Sequence, residues 1–341
     1  MAKFFISGGA GFIGSAFLRL ILAEDPSCQV INFDALTYAG NMDNLADLDE
    51  NCHRFVHGDI TDAPAVLKAL PEGCDAIINF AAESHVDRSI ANAGEFLRTN
   101  IVGTQVLLDA ARERGIRRFI HISTDEVMGS LPENEDSFFT EDSPFAPNSP
   151  YAASKAAAEH LVRAAHHTFG LDTVITRCGN NYGPRQFPEK LLPLVLSNAI
   201  NNEPIPVYGD GRNVRDWIYV EDHCRAILLA MKKGRPGAVY NVGARNERRN
   251  LEVVESLLET VGKSASLIRF VKDRPGHDRR YAIDPTLIES ELGWHPRETW
   301  ESGLQKTIQW YRENGRWLER ARSGAYQDYY RKQYGAEVSA S

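Results

Sequence analysis

Phe4-Phe5-Ile6-Ser7, a short apolar run, passes directly into Gly8-Gly9-Ala10-Gly11-Phe12-Ile13-Gly14, and Ser15 to Ala23 reads as a helix. A strand, a glycine turn and a helix in that order leave few folds open. Glycines at 8, 11 and 14 allow a tight turn, close approach of backbone to a pyrophosphate, and close packing of helix on strand. The free amides and dipole of the helix then face the phosphates. A second strand, Val30-Ile31-Asn32-Phe33-Asp34, ends in a carboxylate twenty residues beyond Gly14. An acid there suits the two hydroxyls of an adenosine ribose and repels a 2′-phosphate, which predicts NAD rather than NADP.

Further strands are expected near 53–57, 75–80, 117–122 and 172–177, with helical stretches between most of them. That alternation predicts an α/β class, a Rossmann-like doubly wound parallel sheet covered on both faces. Arg118-Phe119-Ile120-His121-Ile122 sets Ser123-Thr124-Asp125-Glu126-Val127 at a strand's C-terminal end, where open α/β sheets carry their chemistry. Tyr151 and Lys155 stand one turn apart on one helix face, so the ammonium can depress the phenol's pKa and make a usable base. Alone, such a pair is a solvated face in most helices; beside the glycine loop it reads as chemistry. Asp59, in His57-Gly58-Asp59-Ile60, stays open between a ligand-facing role and a cap for the helix near Ala63. Thr99 and Asn100 interrupt an amphipathic pattern from Gly94 to Arg114 and would on periodicity alone be an exposed face.

At 341 residues the chain is long enough for two lobes. Its 38 basic and 46 acidic residues give −8 without a basic stripe, so nucleic acid and anionic membranes have no electrostatic support. Any anionic ligand must be held by a few placed arginines and amides. Cysteines at 28, 52, 74, 178 and 224 are odd in number and lack a Cys-x-x-Cys pair, so no disulfide framework and no metal site is expected. The opening apolar run is too short for a signal peptide and no run reaches a membrane span, which predicts a cytoplasmic protein. After Arg177 the sequence becomes turn-rich. The expected division is a dinucleotide-binding domain over 1–177 plus about 217–243, a ligand lobe over about 178–216 and 244–330, and a polar tail over 331–341. Ser130 to Pro150 is expected to be a long loop beside the site.

Seven stretches carry a resemblance: Gly8 to Gly14, Leu36-Thr37-Tyr38-Ala39-Gly40-Asn41, Ala81 to Ile90, Ser123 to Val127, Asn180-Asn181-Tyr182-Gly183-Pro184, Arg215 to His223, and Asp273 to Asp278. On these the chain resembles the extended short-chain dehydrogenase/reductase family from about residue 3 to about residue 315. Within that family it is similar to the nucleotide-sugar 4,6-dehydratases, whose mark is the acid pair in Thr124-Asp125-Glu126. The resemblance implies dehydration of dTDP-glucose to dTDP-4-keto-6-deoxyglucose, a lyase reaction with NAD, by oxidation at C4, elimination across C5–C6 and hydride return to C6. It implies Thr124, Asp125, Glu126, Tyr151 and Lys155 as catalytic residues. For the cofactor it implies Gly8, Gly11, Phe12, Ile13, Gly14, Asp34, Thr37, Asp59, Ile60, Ala81, Ala82, Thr99, Ser123, Tyr151, Lys155 and Asn180. For the sugar nucleotide it implies Ser84, His85, Thr124, Asn181, Lys190, Leu191, Pro206, Tyr208, Arg215, Asn250 and His277, with Arg274 and Arg280 as further phosphate candidates. It also implies a homodimer paired through the Tyr151 helix and the one near 94–114. Two departures stand out: Met128 where the family has tyrosine, and Gly179 where it has serine. A UDP-sugar dehydratase, an epimerase or decarboxylase on the same scaffold, and a non-catalytic dinucleotide sensor are the alternatives. The acid pair argues against an epimerase, and Thr124, Tyr151 and Lys155 together argue against a sensor.

Overall fold

The structure, a computed structural model, describes residues 1–133, 136–323 and 325–338. Its first six strands are β1 (Lys3–Ser7), β2 (Gln29–Asp34), β3 (His53–His57), β4 (Ala76–Asn79), β5 (Arg118–Thr124) and β6 (Thr173–Cys178). The later ones are β7 (Asn180–Tyr182), β8 (Ile205–Tyr208), β9 (Val214–Tyr219), β10 (Val239–Val242), β11 (Glu247–Arg249) and β12 (Ile268–Val271). Seven of them form one sheet in the order β3-β2-β1-β4-β5-β6-β10, with every pairing parallel. Its central strands are buried along nearly their whole length, as both-face coverage requires. One face packs on helices Phe12–Glu24 and Val220–Lys233 through Phe17, Leu18, Ile21, Ile227 and Ala230. The other packs on helices Ala63–Ala69, Thr104–Glu113 and Pro150–Phe169 through Val66, Leu107, Leu108 and Val162. Chain order reverses between β1 and β4, and a crevice opens there at the strands' C-terminal ends.

A second lobe has its own core of Tyr182, Trp217, Tyr219, Trp300, Tyr311 and Trp317 beneath helices Leu191–Asn201, Asn250–Val261 and Trp300–Glu313. Three boundaries differ from the sequence reading. β10 joins the large sheet beside β6, but Trp217 to Tyr219 do not: β9 has both edges taken by β7 and β11, so it belongs to the second lobe. The helix Thr286–Leu292 returns to the first lobe, where Ile288, Leu292 and Trp294 enter the core and Trp294 Nε1 donates to Asp222 O at 3.0 Å. The supposed polar tail is helical over Ala325–Val338, with Tyr334 buried. Its tyrosines at 326, 330 and 334 recur every four residues and stack along one face. The loop after β5 is tied down by Leu131 N to Arg280 O at 3.0 Å and Phe139 N to Ala282 O at 2.8 Å.

Helix Phe12–Glu24 sits so close to the turn before it that a Cβ on Gly14 would lie 2.2 Å from Gly8 O and 2.8 Å from Gly9 Cα. Both neighbours are backbone and neither can rotate away. Gly14→Ala is therefore expected to lower the unfolding free energy by about 1–3 kcal/mol, read from the urea midpoint; an unchanged midpoint would show that the turn yields freely.

Candidate active site

One cleft runs along the C-terminal ends of β1, β2, β4 and β5, and its wall contains all sixteen residues expected to face the cofactor, from Gly8 to Asn180. Gly8 has φ +76°, and a Cβ on it would lie 2.5 Å from Ala81 N. The helix that follows starts at Gly11 with no side-chain cap, so its first amides are free for an anion. Asp34 is buried; its Oδ2 accepts from Ala10 N and its Oδ1 from Leu36 N, both at 2.8 Å. Burial raises its pKa while those two amides oppose the rise. Each oxygen keeps a lone pair for a ribose hydroxyl. Asp59 is not the cap: Asp62 caps the helix at Ala63 by accepting from Ala65 N, leaving Asp59 in the cleft wall. The helix after Phe96 widens to a π form over Leu97–Gly103, which turns Thr99 into the cleft and buries Asn100. Asn100 clamps the small-residue segment, accepting from Glu83 N at 2.9 Å and donating to Glu83 O at 3.0 Å and Ser154 Oγ at 2.8 Å. A cleft with a glycine floor, an uncapped helix start and a buried acid fits a dinucleotide.

At the end of β5 the hydroxyl, the acid pair and the phenol meet. Thr124 Oγ1 lies 3.2 Å from Asp125 Oδ1 and accepts from Glu126 N at 3.3 Å. Tyr151 is 9% exposed; burial first, then the charges of Glu126 and Cys178, push its phenol well above 10, and a bond with the Thr124 hydroxyl opposes them. Lys155 Nζ donates to Ile122 O at 2.7 Å and lies 3.3 Å from His121 Nε2. Burial brings Lys155 down to about 8. The ammonium is held at the end of β5, and among the protein's own groups the upward pushes on the phenol outweigh the bond with Thr124.

The two acids are held differently. Burial drives Asp125 well above the carboxylate range, the neighbouring charge of Glu126 adds to it, and Asp125 Oδ2 has no partner. Burial also raises Glu126, but Arg274, Lys190 and Arg215 pull the other way. Environments that differ in this way separate the pKa values of two neighbouring acids, as a general acid and a general base require.

Of the residues expected for the sugar nucleotide, Ser84, Thr124, Asn181 and Lys190 line the cleft, whereas His85, Leu191, Pro206, Tyr208, Arg215, Asn250 and His277 lie outside its wall. Lys190 Nζ donates to Ser84 O at 2.8 Å. Arg215 is buried, donates to Asp278 O at 2.9 Å and Val214 O at 2.7 Å, and stacks 4.2 Å from the Tyr281 ring. His85, driven well below 6.5 by burial and then Lys190, is neutral and has an unpartnered Nδ1. His277 is held down to about 4 by burial, then Arg274 and Arg215. Arg280 turns away to Glu247 at 2.8 Å. Met128 is buried among Val127, Phe139, Ala156 and Tyr281 with its sulfur 3.7 Å from Arg177 Nη1, so it is not in the cleft wall. A Cβ on Gly179 would lie 2.6 Å from Asp216 O, which accounts for glycine there. Sequence reading missed Asp87, which accepts from Tyr208 at 2.9 Å and pairs with Arg274 at 3.4 Å, and Tyr334, 3.2 Å from the Tyr208 hydroxyl. The four-residue spacing of the C-terminal tyrosines was the signal for the latter.

A family model described as GDP-mannose 4,6 dehydratase matches residues 5–307. The dTDP-glucose 4,6-dehydratase of Xanthomonas campestris pv. campestris is 51% identical over 96% of this chain and 97% of its own. DesIV, the dTDP-glucose 4,6-dehydratase of Streptomyces venezuelae, solved with NAD bound, superposes with a TM-score of 0.91 at 50% identity over 94% of this chain and 99% of its own. That of Bacillus anthracis, in complex with NAD, gives 0.87 at 44% over 94% and 100%.

The acid pair generates a pH prediction. Asp125 binds its proton more tightly folded than unfolded, so its contribution to stability is full below its ordinary value of 3.8 and is lost as pH rises towards the folded pKa. Asp125→Asn never ionises. Its melting temperature relative to wild type should rise between about pH 4 and pH 8; a gap constant over that range would mean the carboxyl is not strained by burial.

Proposed function

We propose a division of labour for a chain that belongs to the GDP-mannose 4,6 dehydratase family. The chain dehydrates dTDP-glucose to dTDP-4-keto-6-deoxyglucose and uses NAD. When bound, NAD would supply reversible hydride transfer between the sugar C4 and C6. The residues of the cleft wall from Gly8 to Asn180 would hold it, with Asp34 towards the adenosine ribose. Tyr151, bonded to Thr124 and backed by Lys155, takes the proton of the 4-hydroxyl. The resulting 4-keto group acidifies C5–H. Glu126 removes that proton and Asp125 protonates the departing 6-hydroxyl. The observation that carries this reading is the unequal environment of the two acids: Asp125 is buried with Oδ2 unpartnered and, after burial, the charge of Glu126 raising it, while Arg274, Lys190 and Arg215 oppose the rise of Glu126. An epimerase has no leaving group that calls for the buried acid. The polar groups around Glu126 belong to the second lobe, which supports a sugar diphosphate lying between it and the cleft.

We further propose a homodimer in a reducing, cytoplasmic setting. All five cysteines are free, and no helix among the described residues is long and apolar enough to cross a membrane. On the Tyr151 helix Ala152, Ala156, Ala158 and Val162 are buried within the protomer, whereas Ala153 is exposed and Ala157 half-buried. Beside them Leu97 is 48% and Val102 51% exposed on the π segment. Light scattering at micromolar concentration should give twice the chain mass, and a single-chain mass would rule the pairing out.

The chemistry is tested by parting its two halves. Glu126→Gln keeps shape but cannot take the C5 proton, so turnover on dTDP-glucose should fall by about a hundred- to ten-thousand-fold while reduced cofactor still builds up on mixing. Tyr151→Phe should suppress that build-up itself. Normal dehydration by Glu126→Gln would defeat the assignment, and so would wild-type protein that yields no 4-keto product from dTDP-glucose.

A further inference from the structure

Behind the glycine turn, away from the cleft, the segment Met42–Asp47 is gripped by the second lobe. Arg320 pairs with Asp43 at 2.8 Å and Arg185 with Asp47 at 3.2 Å. Arg320 and Asp47 are more than half exposed, so these pairs hold little. The third link is different. Trp317 Nε1 donates to Asn44 Oδ1 at 2.9 Å, and Asn44 Nδ2 donates to Ala10 O at 2.9 Å, with Asn44 1% and Trp317 6% exposed. An indole only donates and a carbonyl only accepts, so the amide can sit only one way round. Ala10 is the middle of the glycine turn. Its carbonyl also accepts from Asn41 N at 3.1 Å, and its own N–H goes to Asp34. The two peptide groups flanking the Ala10 Cα are thus fixed, the first through its N–H by Asp34 and the second through its carbonyl by Asn44. Asn44 does not itself line the cleft.

We propose that Asn44 is a positioning residue of the cofactor site, and that its bond from Trp317 makes NAD retention depend on docking of helix Gly315–Ala321 against the first lobe. The proposal rests on the cleft being the NAD site. Loss of Asn44 leaves the Trp317 N–H buried without a partner and takes one of two bonds from the Ala10 carbonyl. The turn then meets the pyrophosphate from a less ordered start.

Equilibrium dialysis of the NAD-loaded full chain tests this, with a melting curve of each variant alongside. Asn44→Ala is expected to weaken NAD retention about tenfold, and Trp317→Phe, which keeps the ring packed on Trp310 and Tyr311, several-fold. Turnover at saturating NAD should return to within about twofold of wild type in both, and Arg320→Ala should retain NAD normally. Variants that melt earlier yet hold NAD as tightly as wild type would overturn the proposal and leave Asn44 a structural residue only. Retention lost equally in Arg320→Ala would overturn the specific role of the Trp317 bond. Wild-type protein that takes up no NAD would overturn the reading of the cleft, and this proposal with it.

Discussion

Two adjacent carboxyl groups at the end of a buried strand cannot both be charged without a counter-field, and this structure supplies more of that field to one than to the other. Asp125 lies against the protein interior with one oxygen unpartnered and only Arg215 opposing its rise by charge; the rise of Glu126 is opposed by Arg274, Lys190 and Arg215. Those cations come from three separate places in the second lobe: β9, the segment after β12, and the start of helix Leu191–Asn201. Each is itself anchored, Arg215 by Asp278 O and Tyr281, Arg274 by Asp87, and Lys190 by Ser84 O. The second lobe therefore walls the cleft through Lys190, and its cations oppose the rise that burial imposes on Glu126.

The first lobe was legible because each of its signals is local. A strand, three glycines and a helix lie within the first two dozen residues, and the ribose-facing acid follows at the end of the next strand. Parallel strands buried on both faces announce themselves as apolar runs. The acid pair and the Tyr-x-x-x-Lys spacing are likewise short-range patterns, and the fold brings both to one cleft. What failed was long-range. Trp217 to Tyr219 look like any buried strand, and nothing local says that β7 and β11 will claim their edges before β6 does. Met128, standing where the family has tyrosine, packs against Phe139 and Tyr281 and is not in the cleft wall.

The C-terminal residues show the opposite error, in which composition hid a pattern. Between Ala325 and Val338 the sequence is rich in charge and amide, but its tyrosines fall on one helical face. That face covers Tyr208, His85 and Arg88: Tyr334 meets Tyr208, and Tyr329 packs edge-on to His85 and beneath Arg88. Trp317, earlier in the same C-terminal stretch, reaches Asn44 behind the glycine turn, so the last helices pack on both lobes around the cleft without lining it.

The central claim is that one buried site oxidises at C4, eliminates across C5–C6 and reduces at C6 without releasing an intermediate. Product formed from dTDP-glucose carrying deuterium at C4, in ordinary water, tests it most directly by mass spectrometry with positional analysis. The account predicts one deuterium retained and located at C6. Deuterium found still at C4, or lost to solvent, would contradict it.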